Sequence, residues 1–175
     1  MDIVKRPDPP SGLRRTLWRL PIHLYRLGLG RLLGSRVMLL IHVGRVSGKP
    51  RQAVIEVVER DGRGYVAASG FGPRADWYRN ITKTPEVVLQ VGGRTFPAVA
   101  RLLPAEEGGE IMARYAPRHQ AAARRLCAIM GFAVDGSVQD YLEVGRQIPF
   151  VRFVPQAMPA AAAAGARAGQ RQAGH

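Results

Sequence analysis

Short apolar runs separated by glycine-bearing turns constrain this chain more than any other feature of it. Glu86-Val87-Val88-Leu89-Gln90-Val91 and Arg94-Thr95-Phe96-Pro97-Ala98-Val99-Ala100-Arg101-Leu102 flank Gly92-Gly93. Ala53-Val54-Ile55-Glu56-Val57-Val58-Glu59-Arg60 is joined to Gly64-Tyr65-Val66-Ala67-Ala68-Ser69 by Asp61-Gly62-Arg63. Turns this short reverse the chain between antiparallel strands, whereas parallel neighbours need a crossover of about a dozen residues or more. Val37-Met38-Leu39-Leu40-Ile41-His42-Val43 reads as a buried strand before these hairpins, and Ile148-Pro149-Phe150-Val151-Arg152-Phe153-Val154 as a closing strand after them. Pro97, which has no N–H for a ladder, is expected at an edge or a bulge.

Helical segments lie between the strands. One runs from Asp76 to Thr84 and is ended by Pro85. Another runs from about Ala105 to Ala116, with Pro104 at its start and Glu106 and Glu107 in its first turn, where they complement the helix dipole. A third spans about His119 to Met130 and stops at Gly131. Because hairpins dominate the order, the pattern predicts an α+β, mainly antiparallel barrel with helices packed outside.

Upstream, Leu13, Leu17, Leu20, Leu24 and Leu27 form one stripe at helical spacing with Arg15, Arg19 and Arg26 opposite, interrupted by Pro21. Two readings of this amphipathic segment stand side by side: a helix packed on the barrel, or one docked on an anionic membrane face. The chain therefore divides into a disordered start (1–10), an N-terminal amphipathic helical segment (11–35), the barrel (36–155) and a disordered Ala/Gly/Arg/Gln tail (156–175).

Composition narrows the function classes. The single cysteine, Cys127, allows no intrachain disulfide and fits a reduced, cytoplasmic setting. No run of about 18 apolar residues is present, so the expectation is a soluble protein or one peripheral on the inner membrane face. A formal charge of +13 draws anions, whether nucleic acid, acidic lipid or a polyanionic cofactor. Without a helix-turn-helix, zinc or RNA-binding signature, no nucleic acid partner is expected.

Several familiar motifs fail. Gly28-Leu29-Gly30-Arg31-Leu32-Leu33-Gly34 has its third glycine one place late for a dinucleotide fingerprint and no strand before it. Gly44-Arg45-Val46-Ser47-Gly48-Lys49-Pro50 is one residue short of a phosphate loop and has Pro50 where a Ser or Thr would bind magnesium. His23, His42, His119 and His175 show no metal-ligand spacing, so no metal is expected. With no evident protein nucleophile, base or metal, an enzyme of this sequence would need an organic cofactor.

Two stretches remain. Gly44-Arg45-Val46-Ser47-Gly48-Lys49-Pro50-Arg51 places glycines and three bases in one bend, and arginine forks suit phosphate or carboxylate. Ala68-Ser69-Gly70-Phe71-Gly72-Pro73-Arg74-Ala75-Asp76-Trp77-Tyr78-Arg79-Asn80-Ile81 runs from a strand through a glycine-rich turn into a helix carrying Trp77 and Asn80. An ordinary basic hairpin, a core anchor at Trp77 and a backbone tie at Asn80 are the plain structural alternatives.

Together these stretches, with Arg146-Gln147-Ile148-Pro149 near the end, resemble the deazaflavin-dependent nitroreductase family. The match runs from about Leu20 to Pro155 through a Gly-Arg-x-Ser-Gly-x-x-Arg turn and a Trp-Tyr-x-Asn helix. The resemblance implies a split β-barrel of the FMN-binding type and the use of coenzyme F-420. It implies that Arg45, Ser47, Gly48, Lys49 and Arg51 help bind the coenzyme's phosphate and glutamate tail. It likewise implies that Ala68, Ser69, Gly70, Phe71 and Gly72 lie along the deazaflavin, with Trp77 and Asn80 supporting that turn.

Some family members carry a lysine where this chain has Gly70, and members active on nitro compounds carry several tyrosines near the C-terminus where this chain has only Tyr141. The implied activity is hydride transfer to an electron-poor, apolar quinone, enone or nitro compound, with Tyr141 or solvent as the proton donor. Phe71, Met130 and Phe132 could form a lipid-like pocket. The alternatives are a split barrel using FMN or haem, and a non-catalytic lipid-binding barrel at the membrane. The oligomeric state is left open.

Overall fold

The structure is a computed structural model that describes residues 2–3 and 35–157. All but residue 35 of the expected amphipathic segment (11–35), and all but residues 156 and 157 of the expected tail (156–175), lie outside the described residues. The strands are β1 (Asp2–Ile3), β2 (Val37–Val43), β3 (Pro50–Glu56), β4 (Glu59–Asp61), β5 (Gly64–Ala68), β6 (Glu86–Val91), β7 (Arg94–Leu102), β8 (Phe132–Ala133) and β9 (Phe150–Pro155). The helices are α1 (Asp76–Lys83), α2 (Ala105–Arg118), α3 (Gln120–Met130) and α4 (Val138–Gln147). β1 pairs with β8, so two residues within the stretch expected to be disordered form a strand.

Seven strands make one antiparallel sheet in the order β3-β2-β6-β7-β9-β5-β4. Its two outermost strands, β3 and β4, are consecutive in sequence and separated only by Val57 and Val58. At this corner Val57 N–H still donates to the Arg36 carbonyl beside β2 (2.8 Å), while Val58 N–H donates to Val66 of β5 (2.8 Å). Opposite edges of a flat seven-stranded sheet stand roughly 30 Å apart at the usual strand spacing. A two-residue link between them is possible only if the sheet curls on itself. The run expected as one strand, Ala53–Arg60, is thus two strands and a corner, and the architecture is the α+β split β-barrel with helices outside.

Alternation along the strands divides the core in two. Met38, Leu40, Tyr65, Ala67, Leu89, Ala98, Ala100 and Phe153 fill the inside of the curl, with Ile81 and Trp77 of α1 closing one end. Val66 and Phe150 point the other way, into a layer made with Ile111, Met112 and Tyr115 of α2, Cys127 and Met130 of α3, and Tyr141 and Val144 of α4. Strands buried on both faces read as continuous apolar runs, which is why β5 is buried almost throughout.

Pro97 sits within β7, which is paired on both sides, rather than at an edge or bulge. Its carbonyl accepts from Gln156 N–H (2.9 Å), one residue past the end of β9. In a strand the N and C=O of one residue point to the same side, so the missing N–H faces the place where that ladder stops.

α4 was not foreseen. Ser137 caps it, its Oγ accepting from Asp140 N–H (3.1 Å), and Arg146 and Gln147 finish it, so the closing strand starts at Phe150 instead of Ile148. The helix packs on α2 at three glycines. An added Cβ on Gly145 would lie 2.6 Å from the Gly108 carbonyl oxygen, and one on Gly109 would lie 2.8 Å from that of Leu142.

Candidate cofactor-binding site

The basic bend joins β2 to β3. Gly44 N–H donates to the Lys49 carbonyl (2.9 Å), and Gly48 N–H to that of Gly44 (2.8 Å). Gly48 has φ +65°, the left-handed region that favours glycine. Ser47 Oγ accepts from Lys49 N–H (3.3 Å), closing the tip from within. Val46, Ser47, Gly48, Lys49 and Arg51 are exposed. Lys49 and Arg51 form no ion pair among the described residues, so their charge is available to an anion.

Arg45 behaves differently. Its Nη1 donates to Asp76 Oδ1 (2.9 Å) and to Asn80 Oδ1 (3.0 Å), and its backbone N–H also donates to Asn80 Oδ1 (3.0 Å). Lys83 Nζ donates to the Arg45 carbonyl (2.9 Å). Asp76, Asn80 and Lys83 are spaced i, i+4, i+7, one face of α1, and that whole face grips the bend. Trp77 and Ile81 fall on the adjoining face, about a third of a turn round, and pack into the barrel core, the Trp77 ring lying 6.4 Å from that of Phe153.

Behind Asn80 lies His42, which is almost wholly buried. Asn80 Nδ2 and His42 Nδ1 are 3.1 Å apart. Burial lowers the His42 pKa below its usual 6.5; the bond at the Val43 backbone pushes it up, Arg51 pushes it down, and Asp76 pushes it up.

The glycine-rich segment is a closed turn. Ser69 is fully buried, its N–H donating to the Pro149 carbonyl (2.9 Å) and its hydroxyl to the Gly72 carbonyl (2.7 Å). Gly72 N–H returns to the Ser69 carbonyl (2.8 Å), and Gly72 has φ +62°. A 3-10 turn over Gly72–Arg74 then leads through Ala75 into α1. Beside it opens a cleft of about 220 Å³ lined by Gly70, Phe71, Gly72, Pro73, Arg74, Ile129 and Met130. A Cβ on Gly70 would meet Leu126 and Ile129 at ordinary contact distances of 3.5 and 3.6 Å, so the glycine leaves that wall of the cleft bare.

The structure therefore brings the two stretches together: Arg45 is bonded to Asp76, the first residue of the helix that the glycine-rich turn opens. Within that frame the residues have unequal parts. The Arg45 guanidinium holds the bend to α1, the Ser69 hydroxyl holds its own turn, and half-buried Ala68 packs toward the helical layer. Trp77 is a core anchor, and Asn80 ties two elements together instead of bonding its own helix through its side chain.

Tyr141 is buried in the helical layer, does not line the cleft, and its hydroxyl has no hydrogen-bond partner among the described residues. Phe71 and Met130 line the cleft, whereas Phe132 is buried in the helical layer. Asp76, Lys83 and His42 were missed as parts of the site. His42 carried a signal: a polar residue in the alternating row Met38, Leu40, His42 of an otherwise apolar strand.

The residues present fit an elongated anion joined to a flat ring. Two uncompensated cations stand on an exposed glycine bend, and an apolar, glycine-walled cleft lies at the other end of the bonded frame. No described helix is long and apolar enough to cross a membrane.

Residues 19–126 match the F420H(2)-dependent quinone reductase family. Among solved structures, the chain is similar to the protein Atu2129 from Agrobacterium tumefaciens, of unknown function, at 18% identity and TM-score 0.51, over 86% of this chain and 60% of that one. The chain thus spans about 60% of that protein's length, and the likeness is one of fold. It is also similar to the F420-H2 Dependent Reductase (FDR-A), at 24% identity and TM-score 0.44, over 67% of this chain and 93% of that one. A putative pyridoxamine 5'-phosphate oxidase from Listeria innocua matches at 14% identity and TM-score 0.46, over 76% of this chain and 93% of that one.

Proposed function

Since the chain belongs to the F420H(2)-dependent quinone reductase family, we propose that it is a deazaflavin-dependent oxidoreductase that reduces an electron-poor, apolar acceptor, a quinone foremost. The observation that carries this reading is the Arg45–Asp76–Asn80 junction, which fixes an anion-ready bend beside a glycine-walled, apolar cleft. Coenzyme F-420, when bound in its reduced form, supplies a hydride, so the protein needs no nucleophile or metal of its own.

Lys49 and Arg51, with the exposed backbone around Gly48, would hold the phosphate and carboxylate tail. Gly70, Phe71 and Gly72 would lie against the ring, with Trp77 and Asn80 supporting from behind. Holding ring and acceptor in one orientation is the protein's main contribution to the rate. Phe71, Ile129 and Met130 offer the acceptor an apolar wall, with Arg74 also in the lining. This suits an apolar quinone and disfavours a cationic substrate, with enones and nitroaromatic compounds as further acceptors to assay. An FMN phosphate would meet the same two cations, so choice of chromophore is the discriminating measurement.

Spectral titration of the purified protein with F-420 and, separately, with FMN tests the reading. We expect F-420 to bind in the micromolar range or tighter, and the double charge reversal Lys49→Glu, Arg51→Glu to weaken it at least roughly tenfold, since two charge-assisted contacts are lost. Binding of FMN alone, or no loss on charge reversal, defeats the assignment. Turnover of reduced F-420 with a quinone, an enone and a nitroaromatic compound then ranks the acceptors.

A further inference from the structure

We infer that His42 is a positioning residue for the anion-binding bend, acting as an uncharged acceptor that fixes the orientation of the Asn80 amide. The inference rests on the function proposed above for its consequence, but not for its geometry.

An asparagine amide has one accepting end and one donating end. The Asn80 oxygen faces two donors, the Arg45 backbone N–H and Arg45 Nη1, both at 3.0 Å. Turning the amide over would set its NH2 against both of them, so this orientation is the one the neighbours permit. Its NH2 end therefore points to His42 Nδ1 at 3.1 Å, and an NH2 only donates. Nδ1 must then carry no proton, and the neutral ring holds its hydrogen on Nε2. The chain of bonds runs His42, Asn80, Arg45, bend.

Protonation of His42 breaks this chain at its buried end. An Nδ1–H would oppose the Asn80 NH2, and the amide cannot turn over to meet it without abandoning Arg45. Arg51, the residue opposite His42 in the β2–β3 register, faces the ring as a cation, and Asp76 of α1 is the one carboxylate acting on it. Arg45 and Lys83 lie further along the same junction. Burial, with Arg51, outweighs the hydrogen bond at the Val43 backbone and the Asp76 charge, and keeps the ring neutral down to more acid pH than an ordinary histidine.

Two variants separate positioning from bulk packing. Asparagine in place of His42 can set an oxygen near the position of Nδ1 and accept the same bond without titrating. Leucine fills the space and accepts nothing, leaving a buried NH2 unpaired. We expect His42→Leu to weaken F-420 binding roughly tenfold, the equivalent of one buried hydrogen bond. A deazaflavin carrying the ribityl chain but no phosphate tail should bind the variant as it binds the wild type. His42→Asn should keep the wild-type affinity near neutral pH and, in acid where His42 charges, bind F-420 more tightly than the wild type does. Equal loss for the tailed and tail-less probes, or a wild type that outbinds His42→Asn in acid, overturns the inference.

A measurement without cofactor keeps the two readings distinguishable. In nitrogen-15 histidine spectra of the free protein, His42 Nδ1 should carry the unprotonated-nitrogen signature at neutral pH and Nε2 the protonated one. A proton on Nδ1 refutes the positioning role even if F-420 binds. The expected tautomer in a protein that binds no F-420 leaves the junction intact and overturns the proposed function instead.

Discussion

Gly145→Ala offers the sharpest test of the helical layer that carries one wall of the cleft. A new Cβ there would lie 2.6 Å from the Gly108 carbonyl oxygen, 2.6 Å from Met112 Cβ and 2.8 Å from Gly109 Cα. Ordinary contacts are about 3.5 Å, so α4 and α2 would have to separate by nearly 1 Å where they cross. Two of the three obstacles are backbone atoms and the third is the first carbon of a side chain, so no rotamer change relieves the clash. Alanine is favoured over glycine in a helix interior by about 1 kcal/mol. Overpacking a close-packed interface costs about 1–3 kcal/mol, and a clash with backbone belongs at or beyond the top of that range.

The expected net effect of Gly145→Ala is a loss of about 2 kcal/mol, or roughly 4–8 °C in Tm for a chain of this size. Gly62→Ala is the control: nothing lies within 4 Å of its Cβ position and its φ is not positive. That substitution is expected to be neutral or to stabilise by up to about 1 kcal/mol through the unfolded chain. Paired urea and thermal unfolding curves decide the matter. A Gly145→Ala protein as stable as the wild type refutes the close approach of α2 and α4.

Three further outcomes follow from the burial and charge of single residues. Burial pushes the Asp61 carboxyl up, but the Arg63 backbone N–H and the Arg152 guanidinium, 2.6 Å away, outweigh it and hold the carboxyl below its usual 3.8. A depressed carboxylate contributes stability that is complete above its unfolded value and is lost as pH falls through the folded one. Unfolding free energy should therefore drop below about pH 4, and Asp61→Asn should flatten that acid limb; an unchanged slope speaks against the pair. Burial pushes the Cys127 thiol up to about 11, so a thiol reagent at about pH 8 should label the native protein far more slowly than the unfolded one. Tyr141→Phe removes a buried hydroxyl that has no partner among the described residues, and should leave turnover unchanged while raising stability by up to about 1 kcal/mol; a tenfold fall in kcat would make that hydroxyl the proton donor after all.

What the sequence disclosed and what it hid divide along one physical line. Hairpins, helix stops and caps are local, so Gly92-Gly93, Pro85, Pro104 and Gly131 marked the ends of elements close to where the structure has them. The corner at Val57-Val58 was hidden because both residues suit a strand; what ends β3 there is a change of pairing partner from β2 to β5, a tertiary event. α4 was hidden because Gly145 lowers helix propensity in a short segment, and the reason for that glycine lies on another helix. At the site, the two stretches were legible from their residue types. The division of labour within them was not, because it depends on which cation meets a carboxylate. Arg45 and Arg51 look alike in sequence, yet one is bonded to Asp76 and the other has no ion pair among the described residues.

The same division bears on the overall charge of +13. Composition offers nucleic acid, lipid and an anionic cofactor equally. Pairing in the folded chain sorts the arginines into those already answered and those left over. Arg152 takes Asp61 and Glu107, Arg63 shares the same two carboxylates, Arg114 takes Glu59 and Glu110, and Arg36 takes Glu56. These pairs lie around the helical side and the far end of the barrel. At the junction with α1 the one carboxylate is Asp76, and Arg45 takes it. Arg51 and Lys49 are then left without an acid among the described residues, on backbone folded tightly around two glycines. Exposed Arg79, Arg94, Arg101 and Arg118 also form no ion pair among the described residues, so what sets the bend apart is its setting: two cations on one tight bend, in a frame shared with an apolar cleft, suit a small anion with a ring attached. The ligand is thus specified by the tight bend and the cleft that share one frame, and not by the total of unanswered charge.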